Sequence, residues 1–315
     1  MAKNKRCVVV GGGGFIGTYL CKELLAAGYD VTSYSRSPNS YFSHFPKDKF
    51  KSVVGLTGDI AKLSQVLKGA DFVFLLNSSS SPIASEGNPF TDLEEGVKET
   101  LDILSASVEN NVTQVIFTSS GGSVYGEAGS EPHSERDAPY PTSPYAISKL
   151  AIEYYLNYFF VKYGLESTIF RISNVYGCGQ SPNKKQGIIP IYVTHALEGL
   201  PIVVYGDGSM VRDYIYVNDV AHIIAHNFEK LDKNGSIYNL GSGVGMSVNE
   251  IIDAIEDISG TQLSKSYIPT PSTFVQKSVL DTRKLTSQMS SYELTPFRDG
   301  LRNTWESMKE HLSEA

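Results

Sequence analysis

Apolar residues in this chain fall into short runs separated by longer amphipathic segments, the spacing expected of alternating strands and helices. Six runs, CVVVGG (7–12), DVTSYSR (30–36), SVVGLTGD (52–59), DFVFLLNS (71–78), QVIFTSS (114–120) and LESTIFRIS (165–173), predict six successive strands. Helices are predicted between them over 16–27, 61–68, 92–109 and 144–163. Strands and helices alternating in this way build a doubly wound α/β unit around a parallel sheet. After Ser173 the pattern loosens. VYGCGQSPNKKQGIIP (175–190) is rich in Gly, Pro and Asn, a helix is predicted over 188–199, and PIVVYGDGSMVRDYIYV (201–217) follows, so a smaller second unit begins here. No internal repeat interrupts the chain, although a serine run occupies 78–81.

The first strand, over 7–10, runs directly into a glycine turn and then the first helix. Such a turn aims the unpaired N–H groups and the positive dipole end of the helix at a pyrophosphate. Gly11, Gly14 and Gly17 form GxxGxxG: Gly11 permits the tight turn, Gly14 lets backbone approach the phosphates, and Gly17 lets the helix pack closely on the strand. Phe15 and Ile16, between the glycines, belong to the same cofactor turn. A flexible glycine loop is the competing explanation, and the apolar strand immediately before the motif argues against it.

Tyr145 and Lys149 stand four residues apart in SPYAISKLAIEYYL, on one face of a predicted helix. A phenol with an ordinary pKa of ~10 is a poor base at neutral pH, and a neighbouring ammonium favours phenolate and lowers that value. Tyr-x-x-x-Lys recurs by chance on amphipathic helices, but here it follows the strand that ends in SSGGSVYG (119–126). Together with the glycine turn, the pair points to a nicotinamide-dependent catalyst.

Seven segments, GGGGFIG (11–17), TGDI (57–60), SSGGSVYG, YAISK (145–149), RISNVYGCGQ (171–180), VRDYIYVNDVA (211–221) and NLGSG (239–243), span nearly the whole chain. They resemble the extended short-chain dehydrogenase/reductase family of nucleotide-sugar epimerases and dehydratases, and within it are most similar to UDP-hexose 4-epimerases. The resemblance implies a Rossmann dinucleotide-binding domain over 1–173, with 213–243 returning to it. A smaller C-terminal α/β nucleotide-sugar-binding domain would comprise 174–212 and 244–315. It implies 4-epimerisation of a UDP-hexose or UDP-N-acetylhexosamine through a transient 4-keto sugar, with Tyr145 as base and Lys149 also holding the nicotinamide ribose. A homodimer through the helices near 92–109 and 144–163 is implied as well, and family habit suggests polysaccharide biosynthesis.

Several positions carry over with changes. Relatives place a Ser or Thr five residues before the final Gly of VYG, and that position here is Gly121. Ser120 supplies the hydroxyl if the loop holds one extra residue; Ser123 supplies it if it reaches back. Ser120 is favoured, with Ser119 a polar neighbour. Asp59 and Ile60 match residues lining the adenine. Ser35 stands where NAD-preferring relatives carry an acid, and Arg36 beside it could pair with a 2′-phosphate, so NAD is implied by the family and NADP by these two residues. Asn174 and Arg212 match groups that hold the substrate diphosphate. The usual RxxD grip on the nucleotide is missing, because counting back from Asp281 gives Pro271 and Phe274. Ser278, small where relatives face the sugar C2 substituent, would admit an N-acetyl group.

Two rivals remain. An NADPH-dependent nucleotide-4-keto-6-deoxysugar reductase needs the same Tyr and Lys and fits Ser35-Arg36. A non-catalytic redox-sensing protein has no need of the dyad. A dehydratase is opposed by SSGGS, which lacks the Asp-Glu pair expected there. With 27 basic and 34 acidic residues, a net charge of −7 gives no electrostatic case for nucleic acid or anionic membrane. Three cysteines, Cys7, Cys21 and Cys178, show no CxxC spacing, and no apolar stretch is long enough to span a bilayer, so a cytoplasmic enzyme is expected. His222 and His226 are i, i+4 on a predicted helix, but the sequence offers no third ligand at metal spacing, and no metal is expected. The tyrosines of IEYYLNYFFVKY read as core and interface.

Overall fold

The structure is a computed structural model that describes residues 4–76, 85, 89–127, 131–182, 187–271 and 274–314; the serine run at 78–81 lies outside them. Seven strands form one all-parallel sheet: β1 (Arg6–Val10), β2 (Asp30–Ser35), β3 (Phe50–Val54), β4 (Phe72–Leu75), β5 (Gln114–Ser120), β6 (Glu166–Ile172) and β10 (Asn234–Leu240). Their order is β10-β6-β5-β4-β1-β2-β3, so the chain winds outward in both directions from the β1/β4 junction. That reversal opens a crevice at the carboxyl ends of β1 and β4, the general position for a ligand in such sheets.

Both faces of the sheet are buried, which is why its strands read as nearly continuous apolar runs. Cys7 and Val9 face one core with Leu20, Cys21 and Leu24 of α1 (Phe15–Ala26). Val8 and Val10 face the other with Leu63 and Leu67 of α2 (Ile60–Leu67), Ile103 and Leu104 of α3 (Glu99–Glu109), and Ile152 and Leu156 of α4 (Pro144–Tyr163). Helix α4 has clear sequence signals at both ends. Ser143 accepts a hydrogen bond from Ala146 N at 3.3 Å, Pro144 follows it, and Gly164 ends the helix at φ 71°. The helix expected over 92–109 is interrupted in character: Asp92–Lys98 is wound as a π-helix before α3 begins. This wider winding buries Asp92 and Val97 and packs against α4.

A buried polar stack sets α4 on the sheet. Glu153 accepts from Arg171 of β6 through Nε at 3.1 Å and Nη2 at 2.6 Å, and from Ser119 Oγ of β5 at 2.5 Å. Arg171 lies over the Tyr125 ring at 4.7 Å, and Tyr125 donates to Asn239 Oδ1 of β10 at 2.7 Å.

The second layer of structure is built around β9 (Val211–Tyr216), which pairs parallel with β7 (Asn174–Tyr176) and β13 (Lys277–Ser278) and antiparallel with β11 (Gly245–Ser247). A parallel pair, β8 (Ile202–Tyr205) and β12 (Lys265–Ile268), lies beside it. Helices α5 (Ile188–Glu198), α7 (Val248–Ser259) and α8 (Phe297–Glu314) share its core, which includes Tyr176, Tyr192, Tyr214, Tyr216 and Trp305. The segment from 213 is shared between the two cores: Ile215 packs in the large-sheet core, as does α6 (Val217–Asn227), which packs on α1, whereas Tyr214 and Tyr216 lie in the smaller core, where their rings meet Phe297 and Tyr176. Strand β10 then adds a seventh member beyond the six runs read as strands. Its start, Asn-Gly-Ser, is polar and bulged, which hides it from a search for apolar runs.

Asp213 ties these parts together. Its carboxylate accepts from Ser242 N at 2.8 Å, Ser242 Oγ at 2.7 Å, Gly243 N at 3.0 Å and Leu280 N at 3.3 Å. A Cβ at Gly241 would come within 2.5 Å of Asp213 Oδ2, so the NLGSG motif is the backbone cradle of this acid.

Replacing Glu153 by Leu leaves the Arg171 guanidinium buried without its counter-ion and should destabilise the fold by ~3–5 kcal/mol in urea unfolding. Combining it with Arg171→Met should recover most of that loss.

Candidate active site

The glycine turn closes the carboxyl end of β1. Gly11 sits at φ 85° and donates to Tyr34 O at 2.8 Å, while Gly14 donates to Gly11 O at 2.9 Å. A Cβ at Gly12 would lie 2.5 Å from Ser33 Oγ, and one at Gly17 would lie 2.3 Å from Gly11 O. Gly17 was expected to let α1 pack on the strand; the close approach is in fact to the glycine turn itself. At Gly14 the surroundings are open, with only Gly11 O near, at 3.1 Å from an added Cβ. The N–H groups of Phe15, Ile16 and Gly17, at the start of α1, have no intrahelical acceptor, and among the described residues no side chain caps them. The arrangement fits a dinucleotide pyrophosphate. Asn39, which sequence reasoning missed, braces the turn by donating to Gly13 O at 3.2 Å and Thr18 Oγ1 at 2.9 Å. It is 22 residues beyond Gly17, with no motif to mark it.

Ser35 ends β2 and donates to Ser37 O at 3.1 Å. Arg36 is exposed and makes no ion pair or hydrogen bond among the described residues. Asp59 is exposed and caps α2 by accepting from Lys62 N at 3.1 Å; Ile60 opens that helix. Helix capping accounts for part of the TGDI motif.

Tyr145, Lys149 and Glu153 form a stripe on successive turns of α4, opposite three successive residues of β5. Lys149 Nζ donates to Thr118 O at 3.1 Å, Ser119 holds Glu153, and the Ser120 side chain lies near enough to the Tyr145 phenol to favour its ionised form. Of the serines proposed for the third role, the structure brings Ser120 to the phenol; Ser123 lies half-buried in the following helical turn. The Tyr145 backbone N–H donates to Ser85 Oγ at 3.3 Å.

The electrostatics differ from the expected lowering of the phenol. Burial pushes Tyr145 up to about 12, against the lowering effect of Ser120, and the Asp92 carboxylate pushes the same way as burial. Lys149 is brought down to about 8 by burial, against the carboxylates of Asp92 and Glu153. Its ammonium is held by Thr118 O and lies 4.8 Å from the Phe117 centroid and 5.7 Å from that of Tyr145. In the protein alone desolvation therefore dominates at Tyr145, and the phenol is held as the acid. Asp92 was invisible as a site residue because the π-wound turn, rather than a sequence motif, carries it inward.

On the substrate side, Asn174 donates to Asp213 O at 3.1 Å and lies beside Gly122 of the serine loop. Among the described residues Arg212 bonds only uncharged groups: Val211 O at 2.8 Å, Gln276 O at 3.4 Å, Met210 Sδ at 3.1 Å and Val275 O. The alternative of an ion pair with Asp213 fails, because that carboxylate points into the NLGSG cradle. Among the described residues Arg212 has no carboxylate partner, and burial holds its guanidinium below its ordinary value. Ser278 is buried in β13, in register with Arg212. Phe274, at the vacant acidic position of the nucleotide grip, meets the Tyr205 ring at 5.2 Å. His222 and His226 gain a neighbour that the sequence did not show, Glu23 of α1.

The profile of the NAD dependent epimerase/dehydratase family matches residues 7–241. A putative UDP-glucose 4-epimerase of Methanocaldococcus jannaschii is 32% identical, covering 89% of this chain and 91% of its own. A dTDP-4-dehydro-6-deoxyglucose reductase of Escherichia coli is also 32% identical, covering 81% and 82%. Among solved structures, a UDP-glucose 4-epimerase of Thermus thermophilus in complex with NAD superposes with a TM-score of 0.87 at 30% identity, covering 96% of this chain and 99% of that one.

Lys149 makes stability depend on pH. Its folded value of about 8 lies below the unfolded ~10.4, so below pH about 8 the folded protein carries the full cost of the buried ammonium. Between these values the unfolded chain keeps a proton that the folded chain has released. Relative to Lys149→Met, the cofactor-free protein should therefore gain unfolding free energy as pH rises through that window, measured by urea unfolding; the titration of Tyr145, common to both proteins, cancels in the difference. A flat difference would contradict the desolvated lysine.

Proposed function

The chain belongs to the NAD dependent epimerase/dehydratase family, and we propose that it is a nucleotide-sugar 4-epimerase acting on a UDP-hexose or UDP-N-acetylhexosamine. The observation that carries this reading is the meeting of Ser120, Tyr145 and Lys149 at the carboxyl edge of the sheet, where the open glycine turn also lies. Gly11, Gly14 and Gly17 with the free N–H groups at Phe15 and Ile16 would hold the pyrophosphate of NAD, and Asp59 and Ile60 its adenine. Bound NAD supplies reversible hydride transfer and, when oxidised, a positive charge that favours the Tyr145 phenolate.

Tyr145 then takes the proton of the sugar 4-OH as C4 is oxidised to the ketone, and returns it after the sugar has turned its other face. Ser120 orients the hydroxyl, and Lys149, anchored on Thr118 O, keeps a cation beside the phenol. Arg212, already desolvated and without a carboxylate partner among the described residues, meets the substrate diphosphate together with Asn174. Ser278 leaves room for an N-acetyl group. The aromatic pair Tyr205 and Phe274 stands in for the absent charged grip on the nucleotide.

One observation favours a second reading. Arg36, exposed beside Ser35, suits a 2′-phosphate and hence an NADPH-dependent reductase of a nucleotide-4-keto-6-deoxysugar, in which Tyr145 donates a proton instead of removing one.

The proposal includes assembly as a homodimer, which the outer face of α4 supports. Ile147, Tyr154, Tyr158 and Val161 form an exposed apolar stripe at helical spacing, with Tyr154 66% and Val161 76% exposed, and Phe90 and Leu93 add to it from the neighbouring helical segment. Among the described residues no helix is long and apolar enough to cross a membrane.

Protein purified without added nucleotide and then denatured should release near-stoichiometric NAD, and Tyr145→Phe should lose turnover by ~10²–10⁴-fold while retaining that NAD. Near-normal turnover would remove Tyr145 as the base, whereas empty protein that binds NADPH reversibly would favour the reductase. Val161→Glu should shift the protein from dimer to monomer in light scattering coupled to size-exclusion chromatography; an unchanged mass would exclude this face as the interface.

A further inference from the structure

Helices α1 and α6 meet through three side chains able to bind a metal. His222 and His226 stand one turn apart on α6, and Glu23 faces them from α1. Glu23 Oε2 lies 3.1 Å from His222 Nδ1 and 3.4 Å from His226 Nε2, and one donor atom from each of the three residues falls within 4.8 Å of the others. Around a tetrahedral ion with bonds of about 2.0–2.2 Å, neighbouring donor atoms stand about 3.3–3.6 Å apart, so little movement separates the observed cluster from a coordination site. A purely hydrogen-bonded cluster accounts for less. The contact of His222 is acceptable, but that of His226 at 3.4 Å exceeds the usual N–H···O range of about 2.7–3.2 Å.

The surroundings support ligation. The His222 ring stacks on Tyr292 at 4.4 Å and 16°, and Tyr292 in turn donates to Asp219 Oδ1 at 2.8 Å, which fixes the ring plane. The two histidine rings lie 4.3 Å apart. Side-chain exposures of 37%, 36% and 25% for His222, His226 and Glu23 leave a path for an ion and an open position for water. Two imidazoles and one carboxylate suit Zn²⁺, Co²⁺ or Ni²⁺ better than Ca²⁺ or Mg²⁺, which prefer all-oxygen sites.

We propose that Glu23, His222 and His226 form a site for a divalent transition metal that staples α6 to α1. Glu23 lies eight residues into α1, ~12 Å along its axis from the pyrophosphate-facing end, so the ion would act on the helix and not on the reacting atoms. Because α1 carries the open end of the cofactor turn, the staple would hold that turn in place from the rear. The proposal is independent of which sugar nucleotide the enzyme takes.

The test uses the full chain, stripped with a chelator and titrated with Zn²⁺ by calorimetry and with Co²⁺ by visible absorption. The expected result is one equivalent bound with micromolar or tighter affinity, the intense bands of low-coordinate Co²⁺, and a rise in Tm with added Zn²⁺. Glu23→Gln and, separately, His226→Ala should each abolish the Tm rise. Absence of saturable binding below millimolar metal, or a Tm rise that survives in both variants, would overturn the site.

Discussion

The buried contact between Glu153 and Arg171 fixes the rotation of α4 on the sheet, and the position of the candidate dyad follows from it. A helix of this kind can slide or turn on an apolar surface at small cost, because dispersion and burial are not directional. A bidentate pair in a dry interior is directional and tolerates no rotation. With Glu153 set against Ser119 and Arg171, the next turn places Lys149 on Thr118 O, and the turn beyond places Tyr145 against Ser120. Three turns of helix thus read three consecutive residues of one strand.

This anchoring has an electrostatic consequence. The same burial that makes the geometry rigid disfavours both charged forms at the site, holding Tyr145 up at about 12 and bringing Lys149 down to about 8. Asp92 favours the lysine's charge and opposes that of the phenol. The protein by itself therefore stores the phenol as an acid. A cation delivered next to it would have a large effect, because little solvent is present to screen it. On the proposed mechanism, burial of the dyad would couple formation of the base to the arrival of an oxidised cofactor.

The second unit is organised by a different polar anchor. Asp213 draws the loop after β10 and the strand leading to Leu280 onto β9, and this turns the neighbouring Arg212 away from the acid and toward backbone carbonyls. Two adjacent residues of opposite charge, which in a sequence suggest a surface pair, are thereby separated into a structural acid and a partly desolvated cation available for an anion.

The sequence alone determined the parallel doubly wound sheet, the glycine turn, the bounds of α4 and the Tyr145/Lys149 pair, because each depends on local periodicity, on Gly and Pro conformations or on i, i+4 spacing. Strand β10 escaped the search for apolar runs because its polar, bulged start gives no such signal. Only the tertiary structure decided that burial dominates at the phenol, that Ser120 is the serine brought near it, that Asp92 acts on both Tyr145 and Lys149, that Asn39 braces the glycine turn, and that Glu23 lies with His222 and His226. These facts depend on groups remote in the chain: the carboxylate facing the two histidines is 199 residues away from the first of them. Local pattern fixes what a segment can form, whereas dielectric environment and the meeting of distant side chains exist only once the chain has packed.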